Sequence, residues 1–134
     1  MSIRHPKAIL WEERLKVIFD RIDAYLEAKY GHLYPLHPSR PSRGGTSNPE
    51  QDGLFNVGSS FSPGYGSEHG PGYIVEFRLA TLSEVPDKVR LQIEGEAVEM
   101  LNQALNETFP GQDLRAERDG PVVKIIGDLS LGDV

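Results

Sequence analysis

Cysteine is missing from this sequence of 134 residues, and its absence excludes several kinds of chemistry. Without cysteine the chain can form no disulfide framework, no thiolate nucleophile and no Cys-ligated zinc site. Long apolar runs are missing too, since none approaches the roughly 20 residues that span a bilayer. The amino terminus carries charges in place of an apolar signal region. We therefore expect a cytoplasmic protein that does not enter the membrane.

Basic charge is scarce. The chain has 14 Lys and Arg against 20 Asp and Glu, a formal net charge of -6 at pH 7. A nucleic-acid partner requires a basic stripe that contacts the phosphates, and Arg40 with Arg43 is the only local basic spacing of note. This acidic balance predicts that the protein binds no nucleic acid.

The length predicts a single domain over residues 1–134, with enough chain for one hydrophobic core. Glycine and proline are concentrated in one part of it, between Gly31 and Gly72. There the sequence predicts a long loop over residues 31–53 and a glycine-rich hairpin tip over residues 62–72. A loop as long as the first is uncommon in a compact domain unless it has a function or is floppy.

The clearest strand covers Gly72–Thr81, because apolar and polar side chains alternate along it with period 2. One face carries Tyr73, Val75, Phe77 and Leu79, and the other carries Ile74, Glu76, Arg78 and Ala80. This alternation predicts that helices cover the first face and that the second face lies open to solvent or to another subunit.

Two long helices flank the predicted hairpins. Pro6–Tyr30 and Pro86–Phe109 each repeat apolar residues with a period of 3.6. The stripe of the first helix consists of Trp11, Leu15, Ile18, Ile22, Tyr25 and Leu26, and that of the second consists of Val89, Ile93, Ala97, Val98, Leu101 and Leu105. The charged residues of the first helix alternate in sign, which is typical of a solvated face.

Three further strands complete the predicted sheet. They are Leu54–Phe61, Leu114–Arg118 and Val122–Gly127. The last two flank Asp119-Gly120, a dipeptide typical of tight turns. The order α-β-β-α-β-β predicts an α+β fold, a four-stranded and mainly antiparallel sheet with two long helices packed on one face. The mostly apolar Val122–Ile126 belongs inside the sheet.

The glycine-rich tip resembles a phosphate-binding loop only superficially. Its G-x-G-x-x-x-G spacing misses the dinucleotide fingerprint by one residue, and a strand follows where that motif requires the start of a helix. Glycines that allow a wide hairpin turn explain the segment adequately. We therefore expect no nucleotide and no other cofactor.

Polar residues in the two loop regions are the candidates for a ligand or catalytic site. His69 and Glu68 could act as acid–base or metal groups, while Arg40, Arg43 and His37 could hold an anion. No paired histidines with metal-ligand spacing occur on a helix, so we predict no metal centre. Loops also collect polar residues without function, which is the simpler explanation of this set.

Two functions therefore remain open. The one we favour is a non-catalytic binding or assembly module, a homodimer that uses Ile74, Glu76 and Arg78 on the open sheet face or an exposed hairpin edge, with Tyr30 and Tyr34 as further interface candidates. The other is a small-molecule-binding protein or enzyme whose site lies in the loops of residues 31–72. Convergence of Arg40, Arg43 and His69 on one concavity would favour the second function.

Overall fold

The structure is a computed structural model that describes residues 6–62, 72–119 and 122–127. Its elements follow the order predicted from the sequence. They are α1 (Pro6–Tyr30), a 3₁₀ turn (Pro49–Gln51), β1 (Phe55–Ser62), β2 (Gly72–Leu79), α2 (Asp87–Thr108), β3 (Arg115–Asp119) and β4 (Val122–Ile126). The α+β prediction is thus confirmed, whereas most of the predicted glycine-rich tip lies outside the described residues.

The four strands form one sheet in the order β1-β2-β4-β3. Every neighbouring pair is antiparallel, with Val57 opposite Phe77 and Val75 opposite Val123. β2 and β4 are the interior strands, which agrees with the apolar character of both. The outer strands β1 and β3 are therefore the two edges of the sheet.

Both helices pack on the sheet face that carries Val75 and Phe77. The buried stripe of α1 includes Leu15, Ile18, Ile22 and Leu26, all exposed by 2% or less. Tyr25 departs from the predicted stripe, since it is 38% exposed and its hydroxyl donates to Glu96 of α2 over 3.0 Å. Hydrophobic burial on this one face accounts for the two-layer architecture.

The opposite sheet face is only partly open. On β2 the Glu76 and Arg78 side chains are exposed, as the alternation predicts. On β4, however, Lys124 is 2% and Ile126 is 4% exposed, and Lys124 Nζ lies 3.1 Å from Asp119 Oδ2. The expectation of an open second face is therefore right for the β1–β2 half and wrong for β4.

A side chain of α2 binds backbone groups of the edge strand β3. Asn102 accepts a hydrogen bond from Ala116 N–H over 2.7 Å and donates one to Ala116 O over 3.1 Å. Its amide thus occupies the place of a neighbouring strand at that position. Arg118 on the same strand is bonded to Glu94. Charges and a capping amide both discourage pairing with another chain at this edge.

No helix in the described ranges combines the length and the apolar character that crossing a membrane requires.

Candidate functional site

The long loop that follows α1 packs against that helix through a cluster of buried ionic groups. Arg43 Nη1 lies 2.5 Å from Asp23 Oδ1 of α1 and 3.4 Å from Asp52 Oδ1 of the loop. The Asp23 and Asp52 side chains are 1% and 2% exposed, whereas that of Arg43 is 31% exposed. The guanidinium therefore joins a helix carboxylate to a loop carboxylate, an arrangement we call the Asp23–Arg43–Asp52 cluster.

Asp23 has the most perturbed acidity in this cluster. Burial raises the pKa of Asp23 to about 6, although the hydrogen bond and charge of Arg43 act to lower it. The neighbouring carboxylates of Glu27 and Asp20 on α1 raise this pKa further. Asp23 Oδ2 is buried and has no hydrogen-bond partner within the described ranges. Arg43 therefore compensates only part of the cost of burying this charge.

The Asp52 carboxylate accepts more hydrogen bonds than that of Asp23. Burial acts to raise the pKa of Asp52. The carboxylate, however, accepts hydrogen bonds from the Thr46 N–H over 3.1 Å and from the Thr46 hydroxyl over 3.0 Å. These bonds and the charge of Arg43 hold the pKa of Asp52 below its usual value. The loop also closes on itself, because Asn48 Oδ1 accepts from the N–H of Glu50 over 3.2 Å. These contacts give the segment a defined conformation without regular secondary structure.

Arg40 binds backbone carbonyl groups of the chain itself. Its Nη2 lies 2.7 Å from Glu50 O and 2.9 Å from Phe55 O. From the other side, Glu27 of α1 accepts hydrogen bonds from the N–H groups of Leu54 and Phe55 over 3.0 and 3.3 Å. An edge strand leaves such groups unpaired by the sheet. Arg40 and Glu27 therefore bind backbone groups at the buried start of β1 that the sheet leaves unpaired.

The histidines do not join the two arginines in one site within the described residues. His37 Nδ1 lies 2.8 Å from Ser39 Oγ and accepts from the Ser39 N–H over 3.1 Å. His37 borders a shallow cleft of about 520 Å³ that Arg40 and Thr81 also line. His69 and Glu68 lie outside the described residues. The predicted convergence of Arg40, Arg43 and His69 therefore stays untested, while both arginines bind groups of the protein itself.

A groove runs between α1 and the outer part of β1, and we call it the helix-side groove. Its volume is about 300 Å³. It is lined by residues of α1, β1 and the 3₁₀ turn, among them Leu15, Lys16, Phe19, Glu50, Val57 and Ser59. The floor is apolar and the rim is charged, a combination typical of small-molecule sites.

A second, smaller groove lies around β1 on the sheet face away from the helices, and we call it the outer groove. It measures about 180 Å³ and is lined on β2 by Glu76 and Arg78 and on the loop by Glu50. Glu76 Oε2 lies 2.6 Å from Arg78 Nη2, and their side chains are 47% and 68% exposed. Ile74, on the same face, is partly buried.

The two tyrosines that the sequence suggested for an interface lie on the helical side of the molecule. Tyr30 and Tyr34 are partly buried and pack against the core. The Tyr30 hydroxyl is bonded to Glu96 of α2, and Lys29 Nζ lies 2.5 Å from the same carboxylate. The hydrogen bond from Lys29 lowers the pKa of Glu96. These tyrosines are thus on a different surface from Ile74, Glu76 and Arg78.

Metal ligands are not grouped in the part of the chain that the structure describes. No set of three or more His, Cys, Asp or Glu side chains there is arranged to hold a metal ion. The acidic residues near Arg43 are held by hydrogen bonds and ion pairs instead.

Comparison with known proteins places the chain in a family. A family model described as "Uncharacterised protein" matches residues 6–127. The chain belongs to this family. A relative from Borreliella burgdorferi, described as "Uncharacterized protein", is 40% identical over 106 residues, which cover 79% of this chain and 83% of the relative. No solved structure matches the chain. Membership of this family assigns no activity by itself.

Sequence reasoning did not identify the residues of α1 that organise the candidate site. Lys16, Asp23 and Glu27 fit the mixed-charge pattern of a solvated face, yet Asp23 is buried and all three bind the loop. Their partners lie 20 or more positions away along the chain. One local signal was present, since Asn48-Pro49 at the start of a helical turn is a capping pattern.

Proposed function

We propose that the protein is a non-catalytic binding module of the cytoplasm and assembles as a homodimer through the exposed β1–β2 half of its second sheet face. This surface, which we call the outer surface, consists of Asn56, Gly58, Ser60, Ile74, Glu76 and Arg78. The observation that carries the proposal is the exposed Glu76–Arg78 pair beside the outer groove. The absence of cysteine suits a reducing compartment.

The outer surface carries charges of both signs, so that it can pair with an identical surface on a second chain. In a two-fold dimer the same patch of both chains forms the interface, so that each patch contacts the equivalent residues of the partner. The outer groove contains two carboxylates, those of Glu50 and Glu76. Arg78 is 68% exposed and long enough to leave its own Glu76 for the groove of a second copy. Arginine is the residue best suited to such planar contacts with carboxylates.

The β1 half of the outer surface offers a small side chain and a carboxylate to a second copy. Gly58 and Ser60 lie opposite Glu76 and Ile74 in the β1–β2 ladder. Ser60 has only a small side chain, whereas above Gly58 a second copy would meet the Glu50 carboxylate, whose Oε1 lies 2.7 Å from the place of a Cβ atom. Ile74, opposite Ser60, supplies an apolar contact to the patch, and the fully buried part of an interface is more apolar than its rim.

The alternative function, an enzyme or ligand site in the loops, requires arginines that can hold an anion. Arg43 instead pairs with Asp23, and Arg40 donates to carbonyl groups. These internal roles favour the non-catalytic function.

Native mass spectrometry of the untagged protein in the micromolar range tests the dimer. The wild type should give a dimer, and the charge reversals Glu76→Arg and Arg78→Glu should each raise the dissociation constant by about tenfold or more. The double variant should recover much of the lost affinity, because it restores an opposite-charge pair. Arg115→Glu is the matched control, since Arg115 forms a similar exposed pair with Glu117 on β3.

A wild-type monomer throughout the micromolar range would overturn the homodimer. So would a dimer whose affinity responds to Arg115→Glu as strongly as to Arg78→Glu, because the contact would then lie elsewhere. A monomer that retains additional mass would instead support the small-molecule alternative.

A further inference from the structure

We infer that the helix-side groove binds a small organic cation with an apolar body, of the chemical class of the primary amines. This groove opens on the α1 side of β1, but Glu50, Gly58, Ser59 and Ser60 line both it and the outer groove of the proposed dimer surface. The amine and a second copy of the chain would compete for Glu50, but the groove is formed by one chain, so the inference does not require the homodimer.

The shape of the groove suits a small ligand. Its floor is formed by Leu15, Phe19 and Val57, which are 2%, 3% and 1% exposed. Its volume of about 300 Å³ is at the lower end of the range for ligand sites. An aliphatic chain or a single aromatic ring could occupy this volume and would lie beside Tyr73, the partly exposed aromatic side chain of the lining.

The rim of the groove favours a positive charge over a negative one. Its lining includes two carboxylates, those of Glu12 and Glu50, and one ammonium group, that of Lys16. Lys16 Nζ already lies 2.8 Å from Asp20 Oδ1 and 2.7 Å from Asn48 Oδ1, so its charge is used within the protein. Among the described residues the lining thus carries two carboxylates against one ammonium group, which pairs with Asp20 as well as with Glu50, and this excess of negative charge opposes an anionic ligand.

Glu50 is the group that we expect to contact the cation. Its Oε2 lies 3.4 Å from Lys16 Nζ. Its Oε1 lies above Gly58 of β1, where a Cβ atom would be only 2.7 Å from that oxygen. Glycine weakens the interior of a strand and often marks a place where another group approaches the backbone closely. At this position glycine leaves room for the Glu50 carboxylate at the mouth of the groove.

The polar groups around Glu50 can complete the coordination of an ammonium group. Ser59 and Ser60 line the same groove, and both are exposed. An ammonium group has three donors. One can bond to the Glu50 carboxylate and the others to serine hydroxyl groups or water, while the hydrocarbon part lies beside Tyr73.

Titration with 2-phenylethylamine, followed by two-dimensional ¹H–¹⁵N NMR of the wild type, tests the inference. The amine should shift the amide signals of Ser59 and neighbouring β1 residues in a saturable way. The neutral isostere 2-phenylethanol and the anion 3-phenylpropionate should bind at least about tenfold more weakly. Glu50→Gln should weaken binding of the amine by about tenfold or more, because the substitution removes the negative charge and retains the shape of the side chain.

Glu84→Gln is the matched control, because Glu84 is exposed in the loop before α2 and does not line the groove. The titration is repeated with Arg78→Glu, which should weaken the dimer, and amine binding retained by that variant would show that the groove of a single chain is sufficient. Ser59→Val serves as a second groove variant if Glu50→Gln does not fold. Equal shifts by amine and alcohol, or unchanged amine binding in a folded groove variant, would overturn the inference.

Discussion

Asp23 carries its charge at a position that water hardly reaches, since its side chain is 1% exposed. Its folded-state pKa of about 6 is above its ordinary value of 3.8, so the folded chain binds this proton more tightly than the unfolded chain. The resulting stabilisation is fully present below the unfolded pKa and is lost as pH rises through about 6. Acidification should therefore stabilise the fold, because it protonates Asp23 and removes the cost of burying its charge.

Asp23→Asn removes this titration, which gives a direct prediction. The unfolding free energy of the wild type relative to Asp23→Asn should rise by about 2 kcal/mol between about pH 7.5 and about pH 4.5, as measured by urea unfolding. Arg43→Ala removes a group that lowers the pKa of Asp23, and should move the rise to higher pH. Parallel pH profiles of wild type and Asp23→Asn would contradict the proposed effect of burial.

Gly95 in the middle of α2 has no close neighbour, because a Cβ atom built there would meet nothing within 4 Å. Gly95→Ala should therefore raise the unfolding free energy by about 1 kcal/mol through helix propensity. Gly111, just after α2, is the matched control. It has equal space but a φ of 87°, so Gly111→Ala should be destabilising. Urea unfolding of both variants should give changes of opposite sign.

The helices and strands could be predicted because their patterns are local. The bounds of α1 match the prediction, since proline and glycine mark its two ends and a regular apolar stripe lies between them. The β2 alternation likewise identified the face on which Val75 and Phe77 are buried. Such periodicity records which side of an element faces the core, and it requires no knowledge of distant residues.

The candidate sites could not be predicted in the same way. Asp23 is one of several acidic residues on α1, and only its contact with Arg43, 20 positions later, distinguishes it. Lys124 interrupts an apolar run and is nevertheless 2% exposed, paired with Asp119 of the neighbouring strand. The helix-side groove similarly joins residues from α1, the 3₁₀ turn and β1. These sites depend on how the chain brings distant segments together, which no local pattern records.

Trp11 provides a test of whether the whole molecule unfolds as one unit. It is the one tryptophan of the sequence, and its ring centroid lies 4.5 Å from that of Phe109 and 5.8 Å from that of Tyr73. Its fluorescence therefore reports contacts among α1, β2 and the end of α2. Far-UV circular dichroism reports mainly the two helices. In a single cooperative domain, urea unfolding should give the same midpoint by both methods.

The shared core explains this expectation, because one cluster of buried side chains includes residues from both helices and all four strands. Separation of the two helices from the sheet would expose Phe55, Leu101 and Ile125, each fully buried in the folded protein. Burial of such side chains contributes roughly 1.5–3 kcal/mol each, so a half-folded chain would lose more than its remaining contacts supply. A fluorescence midpoint clearly below the circular dichroism midpoint would instead mean that helical structure persists after the contacts of Trp11 are lost.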